Sequence, residues 1–263
     1  MPDETAARET TAGRLVQYSV DRGIARIALD SPRNRNALSA ALVEQLTGAL
    51  DTARAQEDVR AVELTHTGST FCAGADLSEA SQGGMKAGAA RVMTLLKLIV
   101  SLPKPVVGSI DGHVRAGGIG LVGACDIVLA GPKTTFAFTE VKLGLAAAMI
   151  SLTTLPKMEP RAASRYYLTG ETFDAVTAAR IGLITEAVAD IDAGTLAVLE
   201  LLRAASPQSL RETKPLLTAA VLDDFDTKAE GLAELSARLF GSAEAAEGMA
   251  AFLEKRRPSF AAG

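Results

Sequence analysis

The stretch from Asp111 to Asp126, DGHVRAGGIGLVGACD, is the feature that most limits how this chain can fold. The β-rich, apolar PVVGSI precedes it, and the apolar IGLVGACDIVLA follows Gly117 and Gly118. This pattern predicts a strand, a tight glycine turn and a buried helix. A helix start leaves its first backbone N–H groups without partners, and glycines let a ligand approach them. The stretch is therefore suited to hold an oxygen that becomes negative, although close packing of a buried helix would explain the same residues.

A second small-residue turn could lie opposite the first. AVELTHTG predicts a strand, and the turn FCAGAD leaves it within the segment from Thr67 to Leu77. Free N–H groups of this turn could face those near Gly117. Two N–H donors from two separate loops form an oxyanion hole, which stabilises negative charge on a reacting oxygen.

Four segments together resemble the crotonase (enoyl-CoA hydratase/isomerase) family. They are FCAGADL, GHVRAGGIGLVGACDIVLA, TFAFTEVKLGL and the C-terminal EGMAAFLEKRRPSF, and the likeness runs from about Val16 to about Phe260. The resemblance implies an α/β fold, a crotonase-like spiral of ββα units with a C-terminal helical trimerisation region. It also implies acyl-CoA thioester substrates and an enolate held by two backbone N–H groups, which fall on Ala75 and Gly117.

Glu140 is the candidate acid/base residue. It lies in FAFTEVKLGL, an otherwise apolar context directly after a predicted strand. Burial favours the neutral form of a carboxyl group and can prepare it for proton transfer. A helix-capping or salt-bridged glutamate would fit the same residue, but the family's general acid/base glutamate falls here, so the resemblance implies a catalytic role.

Gly120 is the main departure from the usual hydratase pattern. The resemblance places a second glutamate three residues after the oxyanion glycine, where this chain has no side chain. Three outcomes follow: Glu140 performs both tasks, another group replaces the missing carboxylate, or the protein does not hydrate. The replacement candidates are His66, Asp76, Glu79 and His113, although a structural role is favoured for both histidines. GGIGL and TEVKLG also resemble the branch of methylglutaconyl-CoA and isohexenylglutaconyl-CoA hydratases, which carry a similar pattern.

The resemblance also indicates contacts to coenzyme A. Arg33 and Arg35 lie in the loop similar to the family's CoA-binding segment. Phe252 and Lys255 match a C-terminal helix that reaches coenzyme A, commonly from a neighbouring subunit, although a solvated basic helix end would explain Lys255 equally. The other substrate-binding candidates are Ala37, Leu38, Ala73, Asp76, Leu77, Gly118 and Gly120.

Pattern changes divide the chain into a mobile N-terminal arm at 1–13, a spiral core at 14–191 and a C-terminal helical region at 192–263. Within the core we expect a hairpin at Asp21–Gly23, a helix from its Ser39 cap to Ala55, a mobile loop at Glu79–Gly88 and a helix at Ala89–Leu102. In the C-terminal region we expect helices at Leu196–Ala205, Pro207–Leu222, Phe225–Phe240 and Ser242–Arg256.

The composition limits the partners. The 263 residues carry a formal net charge of −4, which argues against general binding to nucleic acid or to a membrane surface. No apolar run is long enough to span a membrane, and the N-terminus lacks a signal-peptide pattern. Cys72 and Cys125 lack metal-type spacing, so we expect no metal site and a cytoplasmic protein.

These observations predict an enoyl-CoA hydratase that adds water reversibly to a 2,3-unsaturated acyl-CoA. Coenzyme A enters as part of the substrate, and no separate cofactor is expected. The resemblance implies a homotrimer or a homohexamer. The alternatives are an enoyl-CoA isomerase and a non-catalytic acyl-CoA-binding protein, for which the glycine at position 120 is the main argument.

Overall fold

The computed structural model describes residues 13–76, residue 79 and residues 85–261. The predicted arm, 1–13, lies outside these ranges except for Gly13, and Leu77 also lies outside them. The described residues form two sheets and nine α-helices.

The larger sheet has six strands in the order β1-β2-β3-β5-β7-β10. Its strands are β1 (Val16–Asp21), β2 (Ile24–Leu29), β3 (Ala61–His66), β5 (Val106–Ile110), β7 (Ile127–Ala130) and β10 (Glu186–Ala187). The predicted hairpin is confirmed, because β1 and β2 pair antiparallel on either side of Arg22 and Gly23. Every other pair in this sheet is parallel.

The smaller sheet has four strands in the order β4-β6-β8-β9. They are β4 (Thr70–Cys72), β6 (His113–Arg115), β8 (Thr135–Ala137) and β9 (Phe173–Asp174). The first three strands are parallel, and β9 pairs antiparallel with β8. The chain thus alternates between the sheets, with β3, β5 and β7 in the larger one and β4, β6 and β8 in the smaller one. This alternation forms the expected α/β spiral.

The helices cover and connect the two sheets. Their bounds are α1 (Ala40–Ala55), α2 (Met85–Ser101), α3 (Gly117–Ala124), α4 (Ser151–Thr154), α5 (Pro160–Thr169), α6 (Ala175–Arg180), α7 (Ile191–Ala204), α8 (Pro207–Phe240) and α9 (Ala243–Leu253). Short 3-10 turns occupy Pro32–Asn34, Thr139–Leu143 and Ser259–Ala261. None of the helices in the described ranges is long and apolar enough to cross a membrane.

Helix α1 forms as its sequence predicts. The Ser39 hydroxyl accepts a hydrogen bond from the Leu42 N–H at 3.2 Å, which satisfies one of the free donors at the helix start. The apolar stripe that includes Leu42, Leu46 and Leu50 is fully buried. It joins the main core cluster, which also contains residues of the larger sheet and of α2. A second cluster lies under α7, where Leu199 packs with Ile24 and Val107.

Several predicted boundaries are wrong. Helix α7 begins at Ile191 and not at Leu196, and α9 ends at Leu253 and not at Arg256. Helix α2 begins at Met85 and not at Ala89, so the last part of the predicted loop at Glu79–Gly88 is helical. The predicted break between Leu222 and Phe225 is absent, because α8 runs without interruption from Pro207 to Phe240. The two aspartates between Leu222 and Phe225 are not helix breakers, and Phe225 is only 3% exposed, so its packing in the core holds the helix together.

Helix α8 is tied to the core by a buried ion pair. Lys214 Nζ lies 2.8 Å from Asp126 Oδ2 and donates hydrogen bonds to the carbonyl oxygens of Ile99 and Lys104. Burial lowers the pKa of Lys214, whereas the Asp126 carboxylate opposes that shift. The C-terminal helices therefore pack against the spiral within the same chain.

Candidate active site

Three candidate residues follow the ends of three neighbouring parallel strands. Ala75 comes three residues after β4, Gly117 two residues after β6, and Glu140 three residues after β8. Because β6 pairs with both β4 and β8, the carboxyl ends of these strands lie side by side. Segments leaving the carboxyl ends of parallel strands commonly form ligand sites. The small sheet thus directs all three segments to one of its edges.

The two glycine turns are in direct contact. A Cβ atom added to Gly74 would lie 2.8 Å from Cβ of Ala116 and 3.3 Å from the Gly117 nitrogen. A Cβ atom added to Gly117 would lie 3.8 Å from the Ala75 nitrogen. Gly118 also lies close to the backbone of Cys72: a Cβ atom added to Gly118 would lie 2.8 Å from the Cys72 carbonyl oxygen. Because Gly74 and Gly117 have no side chains, the two turns approach closely and the Ala75 and Gly117 nitrogens lie near each other.

The backbone at Ala116 is strained. Ala116 has φ 46° and ψ −124°, a conformation that residues with a Cβ atom rarely adopt. Its own N–H donates to Ala137 O at 3.2 Å, and its carbonyl accepts from Ile119 N. This sharp turn separates β6 from α3 and determines the direction of the Gly117 N–H. In the described part of the chain, neither the Ala75 N–H nor the Gly117 N–H donates to a protein acceptor.

Glu140 lies on the 3-10 turn Thr139–Leu143 that follows β8. The residue as a whole is partly buried, but its Oε2 is inaccessible and has no hydrogen-bond partner among the described residues. Burial raises the pKa of Glu140 to about 7, opposed only by a hydrogen bond from its own backbone N–H. The carboxyl group is therefore ready to gain or lose a proton near neutral pH.

Aromatic residues line the surroundings of Glu140. The ring of Phe138 packs on that of Tyr167 with centroids 4.3 Å apart. The Tyr167 hydroxyl bonds to the hydroxyl of Thr154, which also donates to Ile150 O at 2.7 Å. The pKa of Tyr167 is raised by its burial and also by the negative charge of Glu140, which indicates that the two groups are near each other.

Gly120 has no space for a side chain. An added Cβ atom would lie 2.5 Å from Cγ2 of Ile150 and 3.3 Å from Cδ1 of Leu96. The Gly120 carbonyl accepts a hydrogen bond from the Thr153 hydroxyl at 3.0 Å. Apolar side chains therefore fill the position at which the family resemblance implies a carboxylate.

The four groups considered as replacements differ in their surroundings. Glu79 accepts the Ala40 N–H at 2.9 Å, so its carboxylate binds the N-terminus of α1. His66 accepts the Asp111 N–H on Nε2, and burial lowers its pKa. His113 is exposed on the small sheet and contacts Thr135. Asp76 is partly buried beside Ala75 and also has an interaction partner. Glu79 and His66 therefore make structural contacts.

The loop expected to bind coenzyme A lies against the first glycine turn. The Leu38 N–H donates to Gly74 O at 2.8 Å, and the Ala73 N–H donates to Arg35 O at 3.0 Å. Arg33 and Arg35 are exposed, whereas Ala37 and Leu38 are buried and Ala73 is partly buried. Leu38 packs beside Gly117, with its Cδ1 3.2 Å from the Cβ position there.

Phe252 lies in the last turn of α9 and Lys255 follows two residues after the helix end, and both residues are exposed. The helix packs on the turn Thr139–Leu143 of its own chain. The role of both residues in binding coenzyme A stays a prediction.

Two cavities lie away from the candidate site. One of about 120 Å³ includes Cys125 and Lys157, and one of about 270 Å³ includes Tyr18 and Asp30. Neither one includes Glu140.

Several residues that form the site have weak sequence signals. Asn36 is fully buried and connects two loops, because its amide donates to Thr67 O and Thr70 O. Its φ of 52° is a conformation in which asparagine is enriched, so an asparagine in a loop was an available signal. Ala116 and Ile150 carried no such signal, because their importance depends on segments distant in the sequence.

Comparison with known proteins agrees with this geometry. The model of the family described as enoyl-CoA hydratase/isomerase matches residues 19–263. A crystal structure of an enoyl-CoA hydratase from Mycobacterium avium is 54% identical, with a TM-score of 0.89 and coverage of 94% of this chain and 98% of that one.

Two curated relatives have similar coverage. A probable enoyl-CoA hydratase of Rhodobacter capsulatus is 33% identical over 93% of this chain and 97% of its own length. A mevalonyl-coenzyme A hydratase of Aspergillus fumigatus is 30% identical over 97% of each. The match of the family model across nearly the whole chain, together with these relatives, shows that this chain belongs to the enoyl-CoA hydratase/isomerase (crotonase) family.

Proposed function

We propose that this protein adds water reversibly across the 2,3-double bond of an enoyl-CoA thioester. The observation that carries this proposal is the carboxyl group of Glu140, which is buried, has an unpaired Oε2 within the described residues and has a pKa raised to about 7. A carboxyl group in these surroundings exchanges protons readily under neutral conditions. The family membership supports an acyl-CoA as the substrate class.

The Ala75 and Gly117 N–H groups would bind the thioester oxygen. Both belong to adjacent turns held together at Gly74. As electrons move from the double bond to this oxygen, the two donors stabilise the enolate. The loss of one such donor typically lowers the rate by about 10²–10³.

Glu140 would carry out both proton-transfer steps of the reaction, which move one proton from water to Cα. The carboxylate accepts a proton from water while the water oxygen forms its bond to Cβ. The resulting carboxylic acid then donates that proton to Cα, and the enolate returns to a thioester. The net change is the addition of one water molecule, and the carboxylate is regenerated without a redox or metal cofactor.

Isomerisation is the second candidate, and the contact of Ile150 with Gly120 favours it. Because apolar groups fill the position of a second carboxylate, Glu140 is the acid/base group to which we assign proton transfer. Moving a double bond requires one base that removes a proton from one carbon and returns it to another. The absence of a carboxylate at position 120 is also consistent with a non-catalytic acyl-CoA-binding protein.

A panel of 2,3-enoyl-CoA and 3,4-enoyl-CoA thioesters would distinguish these functions. Hydration removes the absorbance of a conjugated enoyl thioester and yields a 3-hydroxyacyl product, whereas isomerisation of a 3,4-enoyl substrate creates that absorbance. We expect hydration, with Glu140→Gln lowering turnover by roughly 10³ and leaving acyl-CoA affinity little changed. Tight binding without turnover of any substrate would contradict an enzymatic function.

We also propose that coenzyme A is held, as part of the substrate, by the Arg33–Leu38 loop and the C-terminal residues Phe252 and Lys255. Phe252 is 53% exposed, as expected for a residue that contacts a ligand or another subunit. We further propose a homotrimer or homohexamer located in the cytoplasm, with no nucleic-acid or membrane partner.

A further inference from the structure

Helix α9 contacts the Glu140 turn through main-chain atoms. A Cβ atom added to Gly248 would lie 2.5 Å from both the carbonyl carbon and the carbonyl oxygen of Leu143. In the opposite direction, a Cβ atom added to Gly144 would lie 2.7 Å from the carbonyl oxygen of Glu244. Backbone atoms cannot move aside as the end of a flexible side chain can. Two glycines, Gly144 after the turn and Gly248 on the helix, therefore let the helix and the turn approach closely.

The end of α5 also confines the turn that carries Glu140. Gly170, directly after α5, would place an added Cβ atom 2.9 Å from Phe138 O and 3.2 Å from Cγ2 of Val141. The segment that carries Glu140 thus has close backbone contacts with both α5 and α9. A displacement of either element would move Glu140.

Helix α9 is itself well anchored. The Ser242 hydroxyl accepts from the Ala245 N–H at 3.1 Å and caps the helix start. Ala245 is fully buried. Near the other end, the Glu247 carboxylate binds the Arg256 guanidinium at 2.6 Å and accepts the Ser259 N–H at 2.7 Å. These contacts hold the C-terminal segment on the helix.

We propose that Gly248 is a positioning residue for Glu140, because its bare helix face allows α9 to lie on the Leu143 backbone and hold the acid/base carboxyl in its buried place. This inference rests on the proposed role of Glu140 in proton transfer. It assigns the C-terminal helix a function within its own subunit, separate from any contact with coenzyme A or with another subunit.

Among the described residues, few titratable groups lie around the turn. Lys142 lies on the turn itself, Tyr167 on α5, Glu171 after α5, and Glu244 and Glu247 on α9. No charge from these groups accounts for the raised pKa of Glu140, which is due to burial. If α9 is pushed away, water reaches the carboxyl group and its pKa falls toward the ordinary value for glutamate.

The variant Gly248→Ala tests the proposal, with Gly231→Ala as the matched control. Gly231 lies within α8, and an added Cβ atom there meets no atom within 4 Å. We expect Gly248→Ala to lower kcat by roughly 10- to 100-fold with a smaller change in KM, since the carboxyl group is misplaced. The acidic limb of the pH profile should move to lower pH. The Gly231→Ala control should have the kcat, KM and pH profile of the wild type.

Carboxyl-carbon NMR of Glu140, assigned with Glu140→Gln, measures the same titration without turnover. It separates a failure of this inference from a failure of the proposed function, because the pKa can change in a protein that hydrates no substrate. If Gly248→Ala does not fold, Ser242→Ala loosens the same helix without adding atoms and should give a smaller shift in the same direction. An unchanged Glu140 titration in the folded variants would overturn the proposal.

Discussion

Ile150 occupies the space that a side chain at Gly120 would need, with its Cγ2 2.5 Å from the Cβ position. These residues are 30 positions apart in the sequence, yet the contact between α3 and α4 joins them. The position at which the family resemblance implies a second carboxylate is therefore not vacant. Apolar side chains fill it, and the proposed acid/base function rests on Glu140.

This packing predicts that Gly120→Ala destabilises the protein by about 1–3 kcal/mol, the usual cost of overpacking a core. In an Ile150→Ala background, the same change should cost less, because the clashing Cγ2 is gone. Urea denaturation of the four proteins in this double-mutant cycle measures the coupling, expected in the range of about 0.5–3 kcal/mol. Strictly additive effects would show that the two residues do not compete for space.

If the Gly117 N–H is a donor of the oxyanion hole, Gly117→Pro should lose turnover. Proline removes the N–H but is tolerated at the first position of a helix, where Gly117 lies. We expect turnover to fall by about 10²–10³. Gly117→Ala is the control, because it keeps the N–H, and the tightest contact of its Cβ is with the flexible end of Leu38 at 3.2 Å. Equal turnover in the two folded variants would exclude this N–H as a donor.

Glu140 should make the stability of the protein depend on pH. Its pKa rises from 4.5, the ordinary value, to about 7 in the folded protein, so the folded state binds a proton more tightly than the unfolded state. The stabilising contribution is complete below pH 4.5 and is lost as the pH rises through about 7.

Glu140→Gln should remove this dependence. The free energy of unfolding of wild type relative to the variant should fall by about 3 kcal/mol between about pH 4 and about pH 8. Urea denaturation of both proteins across this range gives the difference directly. Parallel curves for the two proteins would mean that the carboxyl group titrates normally in the folded state.

The buried ion pair predicts a large cost for Lys214→Met. The change leaves Asp126 buried without its cation, which typically costs about 3–5 kcal/mol. Lys228→Met is the control on the same helix, because Lys228 pairs with Asp224 at the surface at 2.6 Å. Removing an exposed pair should cost at most about 1 kcal/mol. Similar unfolding midpoints for the two variants would show that the Lys214 pair contributes little.

Local sequence patterns predicted much of the fold correctly. The hairpin at Arg22–Gly23 and the helix capped by Ser39 depend on residues within a few positions of each other. The apolar stripe of α1 likewise follows from helical periodicity. The continuous helix α8 was predicted less well, because the tertiary burial of Phe225 outweighs the polar interruption before it.

The sequence by itself determined the family and the chemical types at the candidate site: two glycine-rich turns and one glutamate in an apolar segment. Only the tertiary structure decided how they meet. Pairing of β4, β6 and β8 aligns the three segments at one sheet edge, and strain at Ala116 directs the Gly117 N–H. The packing of Ile150 and Gly248 could not be predicted either, because contacts between distant segments depend on the whole fold and leave no local pattern.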